Sequence, residues 1–172
     1  MEISDYTNIV SAAGVIITLI YLAKQIKNTN KIHSENHEWN RRIETRRALD
    51  LYNTLESVKE LEDEFRFSDA SQPIERNKIN KKIKESSLIK VAIIRLLNYY
   101  ESLAIGISMG IYSEIIIKET RRGHMIRTYR AFSDYIDFYR GEGKHRSFIQ
   151  YENLIEKWKK EQSESIGLDP LG

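Results

Sequence analysis

His33 and His37 stand four residues apart in "HSENH", so on a helix both imidazoles project from one face, where two such groups can share a metal ion. The order is not H-E-x-x-H, so the metalloprotease arrangement, with Glu directly after the first His, is absent. Glu38 is a neighbour, but no third ligand is marked by sequence. The pair therefore reads first as two exposed histidines on a polar linker helix, and no metal or other cofactor is expected.

Arg95, Asn98, Glu101 and Ser102 are polar residues within the apolar run "LIKVAIIRLLNYYESLAIGISMGI". Spacings of three and four bring Arg95, Asn98 and either Glu101 or Ser102 toward one side of a helix. If buried, Arg95 and Glu101 need partners, because an unpaired buried charge is expensive. They can line a small polar site, or join an internal network with Arg130, Asp134 or Arg140, and the second reading is preferred. Arg121, Arg122, Arg127 and Arg130, with His124 nearby, form a basic stretch. The planar guanidinium fork suits phosphate, so Arg121, Arg122 and Arg130 are candidate ligand-binding residues for a phosphate, a nucleotide or an anionic lipid. Asp134, Asp137, Glu114 and Glu119 flank the stretch, which favours a solvated face of mixed charge.

Catalytic templates are missing. There is no glycine-rich phosphate loop and no G-x-S-x-G elbow, and the absence of cysteine removes thiol nucleophiles, disulfides and thiolate zinc sites together. Arg140 and His145 have a ribonuclease-like spacing, but Gly141 and Gly143 lie between them and imply a loop. No catalytic residue is assigned, and the balance leans away from an enzyme.

The elements that must hold these residues are helices. The chain has 172 residues, the size of one domain plus at most a short appendage. It carries 41% hydrophobic residues, a net charge of +2, 2 prolines and 8 glycines. A near-neutral charge does not argue for nucleic-acid binding, and few breakers favour long helices. Residues 6–23, "YTNIVSAAGVIITLIYLA", hold no charge. As a helix they span about 27 Å, marginal against a hydrocarbon core of about 30 Å. Lys24, Lys27 and Lys31 follow at once, while Glu2 and Asp5 precede. The positive-inside rule then predicts a single transmembrane helix with its N-terminus outside, in contact with the bilayer through residues 6–23. Lys24, Lys27 and Lys31 would touch anionic lipid at the inner leaflet.

Ala48, Leu51, Leu55, Val58, Leu61 and Phe65 form an apolar stripe on a long helix ending near Phe67. "SDASQPIER" is a loop, with Pro73 unable to sit inside a helix. A second helix starts at 74–77 and becomes apolar on nearly all sides from Leu88 to Ile111. Lys90, Arg95 and Glu101 argue against reading it as a second membrane span. Gly106 and Gly110 mark a helix end near Gly110 with close packing at Gly106. Ser113 and Glu114 open a third helix reaching Arg140, "GEGK" breaks it, and a last helix carries Phe148, Tyr151, Leu154, Ile155 and Trp158. The predicted fold is all-α: an N-terminal single transmembrane helix followed by an antiparallel helical bundle. Its parts are a membrane anchor over 1–25, a juxtamembrane helix over 26–66, a bundle core over 67–162 and a frayed tail over 163–172.

Three stretches, "VSAAGVIITLIYLAKQIKNTNK", "LLNYYESLAIGISMGIYSE" and "YRAFSDYIDFYR", together resemble the bacterial DUF4760 domain proteins. The matching positions are Asn98, Tyr100, Glu101, Ala104, Gly106, Gly110 and Glu114, then Tyr135, Ile136 and Arg140, and the resemblance covers residues 10–158. Where such proteins usually carry Trp in the third helix, this chain has Tyr129 or Phe132. The resemblance implies a small helical domain, often with one membrane-like segment, and brings no established activity.

The expected function is a non-catalytic binding or signalling module held at the inner (cytoplasmic) membrane as a single-pass protein. Its C-terminal domain would be cytoplasmic and a homo-oligomer is a candidate assembly. An effector role in a bacterial stress or phage-defence pathway fits that architecture. The alternatives are a soluble helical scaffold that oligomerises, and a ligand sensor or enzyme built on Arg95, Glu101 and residues 121–130.

Overall fold

A computed structural model describes the backbone of residues 3–53, 56–143 and 146–167, and the side chains of residues 18–52, 58–143 and 146–164. Among the described residues the chain is helical throughout, with no strand. Six α-helices follow in order: α1 (Ile3–Asn53), α2 (Glu56–Phe65), α3 (Arg76–Glu85), α4 (Ser87–Ser108), α5 (Glu114–Gly141) and α6 (Ile149–Gly167). A 3₁₀ turn at Phe67–Asp69 follows α2. The chain divides into two compact units, Met1–Asn40 and Arg41–Gly172.

The predicted transmembrane helix is corrected. Among the described residues no helix is long and apolar enough to cross a membrane. The side chains of residues 1–17 lie outside the described residues, and only Thr18 to Ala23 of the uncharged window fall within them. Beyond them the same helix runs through Lys24, Lys27 and Lys31. Its 51 residues are long enough, but its described part is polar.

In the second unit α4 is the central element, in contact with α2, α3 and α6. Ala92, Ile93, Leu96, Leu97, Tyr99, Tyr100, Leu103, Ala104 and Gly106 are all buried, so its apolar face is wide. The largest side chains fully out of solvent are Trp158, Tyr100, Tyr151, Phe67 and Phe132, drawn from α4, α5, α6 and the 3₁₀ turn. Of the stripe predicted on the first long helix, Leu61 and Phe65 are core and Ala48 and Val58 pack on it. Leu51 is 55% exposed, and Leu55 lies outside the described residues.

The predicted second helix is two. Ser86, at φ −147° and ψ 117°, is extended and separates α3 from α4. No proline or glycine signals that break; Ser86 still donates its amide to Lys82 O. At the other end of α4, Gly110 has φ +70°. Its amide reaches Ile107 O at 3.0 Å and that of Ile111 reaches Gly106 O at 2.9 Å, the paired bonds of a Schellman cap. Tyr112 then folds back onto Gly106, leaving no room for a β-carbon there. Residues 163–167, predicted to fray, continue α6.

Candidate functional site

His124, on α5, is the point where four segments of the second unit meet. Tyr100 of α4 places its hydroxyl 2.7 Å from His124 Nδ1, and Thr128, one turn along α5, lies 3.3 Å from the same nitrogen. Ser68 Oγ, on the 3₁₀ turn, stands 3.0 Å from Nε2, and the Tyr52 hydroxyl, from the end of α1, stands 3.1 Å from it. The tautomer with hydrogen on Nδ1 donates to Tyr100 and leaves Nε2 to accept from Ser68 or Tyr52. The ring meets Tyr52 and Phe67 edge-on, with centroids 5.4 and 5.8 Å apart.

Charge around the ring follows from its neighbours. The Arg121 guanidinium sits 4.6 Å above the centre of the Tyr52 ring, a cation–π contact. Glu62 accepts the Ser68 amide on both carboxylate oxygens, at 3.3 and 3.2 Å, and so fixes the 3₁₀ turn. Burial first, then the Arg121 and Arg127 charges, lower the His124 pKa from 6.5 to about 4. Burial pushes the phenols of Tyr52, Tyr99 and Tyr100 above their ordinary value. At neutral pH the cluster therefore holds a neutral imidazole among neutral hydroxyls, under the charge of two arginines. Such a ring can take up a proton from a hydroxyl.

The residues chosen from sequence scatter. Arg95, Asn98 and Arg130 are exposed and do not gather with Glu101. Glu101 accepts the amides of Gln150, at 3.2 Å, and Tyr151, at 2.7 Å. These are free donors in the first turn of α6, so Glu101 is a cap supplied by another helix and not a partner of Arg95, Arg130 or Arg140. Arg122 donates through Nη2 to Trp158 O and to Gln162, which ties α5 to α6. Arg140 donates through Nε to Ser147 O and pairs with Glu152, whose other oxygen accepts from Tyr129. Of the basic stretch, Arg121 stands over the Tyr52 ring and Arg127 acts on His124 through its charge. His33 and His37 are exposed on α1, and no group of three or more metal-binding side chains occurs among the described residues.

Tyr52, Ser68 and Thr128 were not singled out by sequence, and Tyr100 was named only as a position of the family resemblance. Thr128, at i+4 from His124, is the one partner that spacing alone could have found. Ser68 and Tyr52 are 56 and 72 residues away, and only tertiary packing brings them to the ring.

No match is found among curated proteins or among solved structures. The model of a family described as a domain of unknown function, DUF4760, matches residues 8–158. That match covers most of the chain, and this protein belongs to the DUF4760 family.

Proposed function

We propose that this chain is a helical binding module that assembles with a second copy of itself along one face of α1. The observation that supports it is the distribution of side chains over residues 18–40. Every one of them is exposed, including Leu19, Tyr21, Leu22, Ile26, Ile32 and Trp39. Large apolar groups left together in water signal an interaction surface. At 100° per residue, Lys24, Lys27, Lys31, Glu35 and Glu38 all fall within an arc of about 80°. Those six apolar residues occupy the opposite side with no charge among them, while the exposed Ile20 falls within the charged arc. Leu19, Leu22, Ile26, Thr29, His33, Asn36 and Asn40 follow one another at alternating steps of three and four. That is the spacing of a helix-pairing seam. Its later positions are amides and an imidazole, which suit hydrogen bonds across a helix pair better than hydrocarbon. Trp39 and Tyr21 lie beside that seam and not within it.

Sedimentation equilibrium of the full chain tests this. The wild type is expected to run at a multiple of 20.2 kDa in a concentration-dependent manner. The Leu22→Lys, Ile26→Lys double variant is expected to run as a monomer with unchanged helicity. A wild type that stays monomeric at high micromolar concentration overturns the proposal.

A further inference from the structure

We propose that Ser68 is a nucleophile activated by His124, and that this pair transfers acyl groups from small activated esters. This goes beyond the assembly reading and is independent of it; either can fail alone. Four features of the cluster support the proposal. Ser68 Oγ is 3.0 Å from His124 Nε2, inside the range for a nucleophile and its base. The far side of the ring is held by Tyr100, 2.7 Å from Nδ1, which orients it as the third member of a triad does. The ring is neutral at ordinary pH and so can accept a proton, while burial and the Arg121 and Arg127 charges, which hold its pKa at about 4, oppose the imidazolium that forms and limit the rate. Ser68, His124, Tyr52 and Arg121 are each half-buried, so the cluster is not sealed inside the core.

The chemistry balances within the group and water. Ser68 Oγ bonds to the ester carbonyl carbon while its proton passes to His124 Nε2. The carbon–oxygen bond to the leaving group breaks, and the alkoxide takes that proton from Nε2. Water, deprotonated by the same nitrogen, then attacks the acyl-Ser68 ester, and Oγ recovers its proton as the acid departs. The Ser68 amide is committed to Glu62 and does not serve as an oxyanion donor. Arg121, over the Tyr52 ring, and Arg127 carry positive charge that disfavours the imidazolium. Turnover is therefore slow. Tyr52 shares Nε2 with Ser68, so the serine is engaged part of the time.

A fluorophosphonate probe tests the nucleophile directly, because Ser68 Oγ displaces fluoride from phosphorus and stays attached. Tryptic cleavage gives "FSDASQPIER", which carries Ser68 and the exposed Ser71 as an internal control. Folded wild type is expected to be labelled at Ser68 about a hundredfold faster than at Ser71, the usual contribution of a positioned base. Urea should abolish the difference. His124→Gln, checked by circular dichroism, should lose it while remaining folded. If that variant does not fold, the wild-type pH profile carries the same test: labelling must fall as pH drops toward about 4. Equal labelling of Ser68 and Ser71 in the folded chain, or a rate indifferent both to His124→Gln and to pH, overturns the proposal.

Discussion

At His124 a single ring serves hydroxyls from Tyr52, Ser68, Tyr100 and Thr128. His124→Ala leaves these groups to find other partners in a partly closed space. The expected loss is about 1–3 kcal/mol of unfolding free energy, read as a lower urea midpoint. The ring also sets a pH dependence. Its folded pKa, about 4, lies below the ordinary 6.5, so between those values the unfolded chain binds more protons than the folded one. The stability from this group is complete above pH about 6.5, declines as the pH falls and is gone below about 4. A urea series from pH 7.5 to 4 should show that decline in wild type and lose this part of it in His124→Gln. Glu114 behaves differently. Burial pushes its carboxyl up, but hydrogen bonds from Lys157 and Trp158 outweigh that and hold it below 4.5, so its loss begins at lower pH and survives in the variant. Glu101→Ala removes the cap of α6, with an expected cost of about 1–2 kcal/mol and weaker amide protection at Gln150 and Tyr151 in hydrogen exchange. The sequence marked Glu101 as a polar residue in an apolar helix that needs partners. It could not name them, because backbone amides 49 and 50 residues away carry no residue-type signature.

Among the elements, the end of α4 was the most legible. Gly106 and Gly110 implied a helix end with close packing, and the structure places the cap at Gly110 and Tyr112 against Gly106. The two glycines answer different needs. Gly106→Ala forces the Tyr112 ring away, an overpacking cost of about 1–3 kcal/mol. Gly110→Ala meets open space but must adopt φ +70°, at about 1–2 kcal/mol. Thermal unfolding of the two variants checks both, and Tyr112→Ala should rescue the first and leave the second unchanged. The break at Ser86 was not legible. An extended serine between two helical patterns has no proline or glycine signature, and the sides that α3 and α4 bury decide it. The first helix misled in another way. An uncharged window of about 27 Å sits near the threshold for a span, while its described continuation is exposed and polar.

For the whole molecule, the helical class and the family were readable because apolar spacing and several long local stretches carry both. The division at Asn40 was not, since α1 continues through it without a local breaker. The second unit has a large aromatic and aliphatic core of its own. The first, over residues 18–40, is one helix with its apolar side chains in solvent. Assembly through that helix is the central claim. The chain lacks cysteine, so a single Thr29→Cys change places one spin label at the middle of the described seam. Whether the copies run parallel or antiparallel about that point, the account predicts a narrow distance between labels on two copies, on the order of the 8–10 Å helix separation plus the label arms. Dipolar spectroscopy that shows only the uniform background of separate molecules, at concentrations where the wild type is said to pair, would contradict it.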